Sequence, residues 1–222
     1  MRRYILPMLV LGLAATTMAQ TKSELDNRAR QLMAKFDSLQ GNAEAHIPAD
    51  KLNKALGVIV MDRTKGGFIF GYEKGFGVAM VKNKDDWSPF SFMNSHEGSF
   101  GAQIGGKSTF CVILLMNEAA RDRLTNPKVS FGGEAGGTGG STSNGVGDNF
   151  TEEPPVLVFG ESKGLYGGAT VKGGSVAADD KANQNYYGQF YSIKDILFEK
   201  KVKPSETAAE FAKKLEGAAK GK

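Results

Sequence analysis

The spacing of apolar residues changes twice along this chain, and each change marks a different kind of element. Over residues 23–39 the positions Leu25, Ala29, Leu32, Phe36 and Leu39 recur every three or four residues, which predicts one helix with a single apolar stripe. Ser23 can cap its start. Gly41-Asn42 supplies a turn, and a second short helix is expected with Pro48 near its start and Leu52 and Leu56 along it. From Gly57 the period shortens. Residues 58–61, 67–71 and 76–81 read as strands, the last two forming a hairpin around a glycine-bounded turn. Residues 110–116 are apolar on both faces, as a central covered strand would be. Asn117 can cap a short helix through Leu124, which Asn126-Pro127 stops. Two further strands are expected at 156–159 and 165–171. Residues 132–147 read either as a long loop or as a glycine-packed strand pair. Pro204-Ser205 opens a last helix with Ala208, Phe211, Ala212 and Leu215 on its inner face. With no long linker, the pattern predicts a single compact α+β domain. It would be mainly an antiparallel, glycine-rich β-sheet with N-terminal amphipathic helices and a C-terminal helix.

The first residues follow another logic. Met1-Arg2-Arg3 precedes an apolar run over residues 5–15, and Thr17-Met18-Ala19 puts small residues at −3 and −1 before Gln20. That is the layout of a signal peptide over residues 1–19, and the run is shorter than the ~20 residues a membrane span needs. Export to the periplasm or the extracellular space is the expectation. The absence of cysteine at the cut excludes lipoprotein anchoring, and the context of Arg2-Arg3 matches a twin-arginine signal poorly.

Composition changes the picture in two places. Of 29 glycines, 25 lie between Gly57 and Gly188, a density that β-structure with tight turns and close backbone approach uses more than helix does. Removing Arg2 and Arg3 takes 28 basic residues to 26 against 24 acidic ones, a net of +2, which offers no polyanion-binding field for nucleic acid. An anionic partner must be met by a local patch.

Candidate chemistry is sparse. Residues 101–108, Gly-Ala-Gln-Ile-Gly-Gly-Lys-Ser, match the letters of the phosphate-binding loop. That loop needs a buried strand before it and a helix after it. Residues 94–98 do not read as a buried strand, residues 109–116 read as a strand, and no later apolar run ends in a magnesium-binding aspartate, so no nucleotide is expected. His46 and His96 lie far apart without a partner at ligand spacing. Cys111 falls inside an apolar strand, where a thiol behaves as a small hydrophobe. Asp179, Asp180, Asn183 and Asn185 lack calcium-loop spacing and read as turn or helix-capping residues. Trp87 reads as a core plug. No catalytic residue, metal site or cofactor is expected.

The pieces in order resemble a known family. Ile47-Pro48, Ala55-Leu56-Gly57-Val58-Ile59-Val60 and Lys65-Gly66-Gly67-Phe68 are followed by Gly75-Phe76-Gly77-Val78, Trp87-Ser88-Pro89 and residues 98–105. Ser162-Lys163-Gly164-Leu165-Tyr166-Gly167-Gly168, Asp180-Lys181-Ala182-Asn183 and Tyr186-Tyr187-Gly188 complete the series. This succession resembles the SYLF domain, a lipid-binding family, here as an exported, bacterial-type member with its domain over residues 20–222. The resemblance implies a β-rich fold with N-terminal helices, no cofactor and no catalysis. It implies anionic lipid, such as phosphoinositide-like headgroups, bound through the N-terminal helix with Arg28 and Lys35; local charge adds Lys51, Lys54 and Lys65. It also implies that the 101–108 match belongs to a family motif with no nucleotide role. Some fungal relatives bind actin, which an exported protein would not meet. Two uses of the helix at 23–39 stay open, docking on its own domain or lying on a membrane surface. The alternative function is an envelope module that binds a protein partner through the glycine-rich loop or a sheet edge.

Overall fold

Strand β1, Gly57–Gly67, is the spine around which the rest of the chain is assembled. The computed structural model describes residues 20–43, 45–67, 70–84, 86–100, 107–130, 154–160, 164–166 and 175–221. The signal peptide expected at 1–19, the stretch 132–147, residues 101–106 and most of the expected strand at 165–171 lie outside them. β1 pairs on one side with β2, Phe70–Asn83, and on the other with β5, Lys107–Leu115. Beyond β2 come β4 (Ser91–Phe100), β9 (Ser175–Ala178) and β6 (Val129–Ser130); beyond β5 come β7 (Val156–Gly160) and β8 (Gly164–Tyr166). The order is β6-β9-β4-β2-β1-β5-β7-β8, with the short β3 (Asp86–Trp87) on the end of β2, and every neighbouring pair is antiparallel.

Both faces of this sheet are covered, which is why its central strands are apolar at consecutive positions. Val58, Val60, Val112 and Leu114 face α1 (Lys22–Gln40), α2 (Ala49–Lys54) and α6 (Glu206–Ala219), where Leu25, Phe36, Leu52 and Phe211 meet them. Ile59, Met61, Ile113 and Leu115 face the other way, towards α3 (Glu118–Asp122) and α5 (Ile193–Leu197), with Ala120, Ile196 and Leu197. The expectation of an α+β domain with a doubly covered central strand at 110–116 holds. Trp87 and Cys111 are both buried.

Local chemistry accounts for the helix ends. Thr21, two residues before the expected Ser23, caps α1 in a reciprocal box with Glu24. Asn117 caps α3, Ser192 caps α5 and Ser205 caps α6. Asp179 caps α4, Asp180–Tyr187, which ends on Gly188 at φ 79, a left-handed conformation glycine adopts without strain.

Two expectations need correction. The hairpin does not turn between residues 71 and 76: β2 runs straight through them, and the fold-back lies between Gly67 and Gly71. Glycine there serves close approach, not turning, since a Cβ on Gly77 would sit 2.6 Å from the Val60 carbonyl oxygen. Residues 94–98 are strand after all, part of β4, because β2 supplies their ladder partners from Lys74↔His96 to Phe76↔Asn94. α4 and α5 were not among the expected elements. α4 is fixed by Asn183, whose Oδ1 accepts from the Phe92 N–H at 2.8 Å and whose Nδ2 donates to Ser91 Oγ at 3.0 Å.

Candidate functional site

Where β1 and β2 pass the middle of α1, their α1-facing side chains stop being uniformly apolar. Along β1 the sequence of that face is Val58, Val60, Asp62, Thr64; along β2, read in register, it is Met80, Val78, Phe76, Lys74. The inner pairs are core and the outer ones open a recess of about 570 Å³ under α1, closed at one end by the start of α4. The strand alternation is unbroken; only the chemistry of its residues changes.

Arg28 and Lys35 reach this recess from α1. The Arg28 guanidinium lies 3.5 Å from the centroid of the Phe76 ring, close enough for a cation–π contact. Burial lowers its pKa from the ordinary arginine value, against the opposing fields of Asp179 and Asp62, and it remains charged at neutral pH. Lys35 Nζ donates to Asp62 Oδ2 at 2.6 Å, and Asp62 Oδ1 accepts from Ser108 Oγ at 3.0 Å. Lys74 and Lys181 are exposed at the rim. Gln31, Asn94 and Asn185 add neutral amides to the lining. Nearby, Tyr186 donates to Asp26 Oδ1 at 2.8 Å and ties α4 to α1; burial pushes its pKa up to about 12, so it stays a neutral donor.

The five basic residues singled out in the sequence do not form one patch. Arg28 and Lys35 share the recess. Lys51 and Lys54 belong to α2, beside the Gly57 end of β1, and Lys51 pairs with Asp50 at 3.5 Å. Five residues of β1 separate that end from Asp62, about 16 Å of strand. Lys65 sits near the far end of β1, opposite Glu73 and Lys107 in register, and its side chain lies outside what is described. Sequence reasoning passed over Lys74, Phe76, Asn94 and Lys181, which complete the recess. A signal for them was present in the capping run before α4 and in the switch from Val78 to Phe76, but only the ladder register joins them.

The apolar stripe of α1 is committed to the core: Leu25, Ala29, Leu32, Phe36 and Leu39 are each 2% exposed or less. Of the two uses left open for this helix, the fold shows docking on its own domain. Ion pairs from Arg30 to Glu210 and from Lys214 to Asp37 join α1 to α6 along its solvent edge.

The phosphate-loop letters lead into β5 instead of a helix, and Ser108 Oγ is turned to Asp62, so the helix N-terminus that would face a phosphate is missing there. His46 is exposed, and among the described residues no group of three or more His, Cys, Asp or Glu is placed to hold a metal ion. Among the described residues no helix is long and apolar enough to cross a membrane.

The family model described as Ysc84, Las17-binding protein actin regulator, matches residues 96–218. LAS seventeen-binding protein 3 of Saccharomyces cerevisiae is 29% identical over 184 residues, which cover 79% of this chain and 40% of that protein. Protein YSC84 of the same yeast is 30% identical over 161 residues, covering 70% of this chain and 34% of the relative. The human SH3 domain-containing YSC84-like protein 1 is 24% identical over 191 residues, covering 83% and 56%. This chain therefore spans between about a third and just over half of these relatives. No solved structure matches.

Proposed function

The chain belongs to the Ysc84 (SYLF) family, whose members are named as binding or regulatory proteins, and from that premise we propose that its domain is a non-enzymatic module that docks a protein partner at the recess between α1, β2 and α4. The observation that carries this reading is the recess itself. It is a preformed, polar-walled hollow in a rigid ladder, of the size that binding sites use, on a face where the apolar surface of α1 is already buried. The name of one yeast relative, LAS seventeen-binding protein 3, supports it. The test is affinity capture with the parent and with Lys74→Glu/Lys181→Glu, two exposed changes that leave the core alone. A partner held by the parent and lost by the variant is the expected result. An unchanged set of captured proteins would sink the proposal.

A second reading, anionic lipid bound with Arg28, Lys35, Lys51, Lys54 and Lys65, draws support from the positive excess around the recess. It then works differently from a helix lying in the headgroup layer. Undocking α1 would expose Leu25, Leu32, Phe36 and Leu39, at about 1.5–3 kcal/mol each, whereas attraction of a basic residue to acidic lipid contributes about 1 kcal/mol. A headgroup would have to enter the recess. Co-sedimentation with phosphatidylglycerol vesicles decides this: Arg28→Glu/Lys35→Glu should abolish binding, and equal binding by the variant removes the reading. An envelope location rests on the leader at 1–19, and N-terminal sequencing of the exported protein should begin at Gln20.

A further inference from the structure

Resting on the reading of this face as a protein dock, we propose that the recess takes the side-chain carboxylate of an acidic peptide segment, with Arg28 as the residue that grips it. The guanidinium is half-buried and lies against the Phe76 ring, and that ring packs in turn on Phe92 at 5.7 Å between centroids. Its seat is therefore part of the core. Asp179 and Asp62 act on Arg28 through their charge, and among the described residues no hydrogen bond takes up its five N–H donors. A planar fork held at the wall of a hollow, with its donors unspent, is matched by a planar acceptor that takes two of them at once, and a carboxylate has that shape.

The surrounding charge sets how negative the ligand should be. Arg28, Lys35, Lys74 and Lys181 face Asp62 and Asp179, four cations against two carboxylates. Lys35 is already engaged by Asp62. The excess favours an anion, but the two acids that act on Arg28 penalise each further negative charge brought to it. A single carboxylate suits this balance better than a dianionic phosphate does. The hollow is also too large for an isolated ion, and Gln31, Asn94, Asn185 and Thr64 offer amide and hydroxyl groups able to bond a peptide main chain. The ligand class that uses all of these features is a short acidic peptide stretch of a partner.

The test is an amide-detected NMR titration of the purified protein with an acetylated, amidated pentapeptide carrying a central glutamate between serines and alanines. Its twin with glutamine at the centre is the control. Shifts should appear at Gln31, Asn94 and Asn185 with the glutamate peptide and should be much weaker with the glutamine twin. Arg28→Gln should weaken binding by at least about tenfold, and Arg28→Lys should also weaken it, because a point charge cannot make the paired contact. Equal binding of the two peptides overturns the proposal, as does full affinity in Arg28→Gln with its spectrum otherwise native. If neither peptide binds while Lys74→Glu/Lys181→Glu still loses a captured partner, the dock stands and the carboxylate inference fails. If capture is also unchanged, both fail. Recess shifts with phosphatidylglycerol vesicles but with neither peptide would overturn the inference in favour of a lipid headgroup.

Discussion

The two halves of the β1–β2 ladder share one backbone geometry and do opposite things. From Val58 to Met61, paired with residues 77–80, every side chain is buried and both faces are dry. Two residues further, the same alternation delivers Asp62, Thr64, Lys74 and Phe76 to a wet recess. α1 spans both regions, putting Phe36 and Leu39 in the core while Arg28 and Lys35 reach the hollow. The lesson concerns precision. A polar site built on a strand whose other end is locked in the core inherits that rigidity, so its groups are held where a loop could not hold them.

The largest effect should come from the dry half. Phe36 is 1% exposed and meets Phe211 edge-on at 5.6 Å between centroids. Phe36→Ala should cost about 3–5 kcal/mol, from lost transfer energy and the cavity left behind. Calorimetry should show the melting temperature fall by on the order of 10 °C. Peptide affinity at the recess should change little while the protein stays folded. Loss of binding in step with stability would mean that the two halves are one unit.

Next comes the clamp between α4 and β4. Asn183 satisfies the Phe92 N–H and also donates to Ser91 Oγ, all of it buried. Asn183→Ala leaves a buried donor unpaired and should cost about 1–3 kcal/mol, with faster hydrogen exchange at Phe92 than at Val112. Because α4 carries Asp179 and Lys181 to the recess, this variant should also loosen binding, unlike Phe36→Ala. A stability loss with binding intact would show that the start of α4 is held by other contacts. Gly77→Ala should cost a similar amount, about 1–3 kcal/mol, since the new Cβ meets the Val60 carbonyl and β1 must shift to admit it.

The dry half was legible in the sequence because burial on both faces writes itself as unbroken apolar runs, as at 58–61 and 110–116, and because α1 and α6 carry apolar stripes. The wet half was not. The residues Asn94-Ser95-His96-Glu97-Gly98 have no strand period, and what makes them strand is the hydrogen-bond ladder with β2, a partner that sequence spacing does not reveal. Tyr72-Glu73-Lys74-Gly75 resembled a turn for the same reason, as polar residues flanked by glycine. α4 is held by its cap, by Asn183 and by two buried side chains, Ala182 and Tyr186, so its stripe is too thin to read. Arg28 and Lys35 could be named from the family resemblance and the helix it points to, without any partner strand. Phe76, Lys74 and Lys181 needed the register, because residues more than a hundred positions apart meet only once β4 and α4 are docked.

The smallest stability effect should come from the boundary between the halves, and it sharpens the comparison most. Lys35 and Asp62 pair at 2.6 Å with side chains 38% and 32% exposed. An ion pair that open to solvent is screened and contributes about 0–1 kcal/mol, so Asp62→Asn should barely move the melting temperature. The amide can still accept from Ser108 Oγ, which keeps β1 and β5 joined there. The charge of the recess changes far more, from four cations against two carboxylates to four against one, and Lys35 is released towards the hollow. Affinity for the glutamate peptide should therefore rise, and the gain should shrink as added salt screens the newly unopposed charge. If Asp62→Asn instead costs more than about 2 kcal/mol, the pair belongs to the core and the dry half extends one residue pair further. If stability and affinity both stay at the parent's values, Asp62 does not face the ligand, and the grip must lie wholly between Arg28, Lys74 and Lys181.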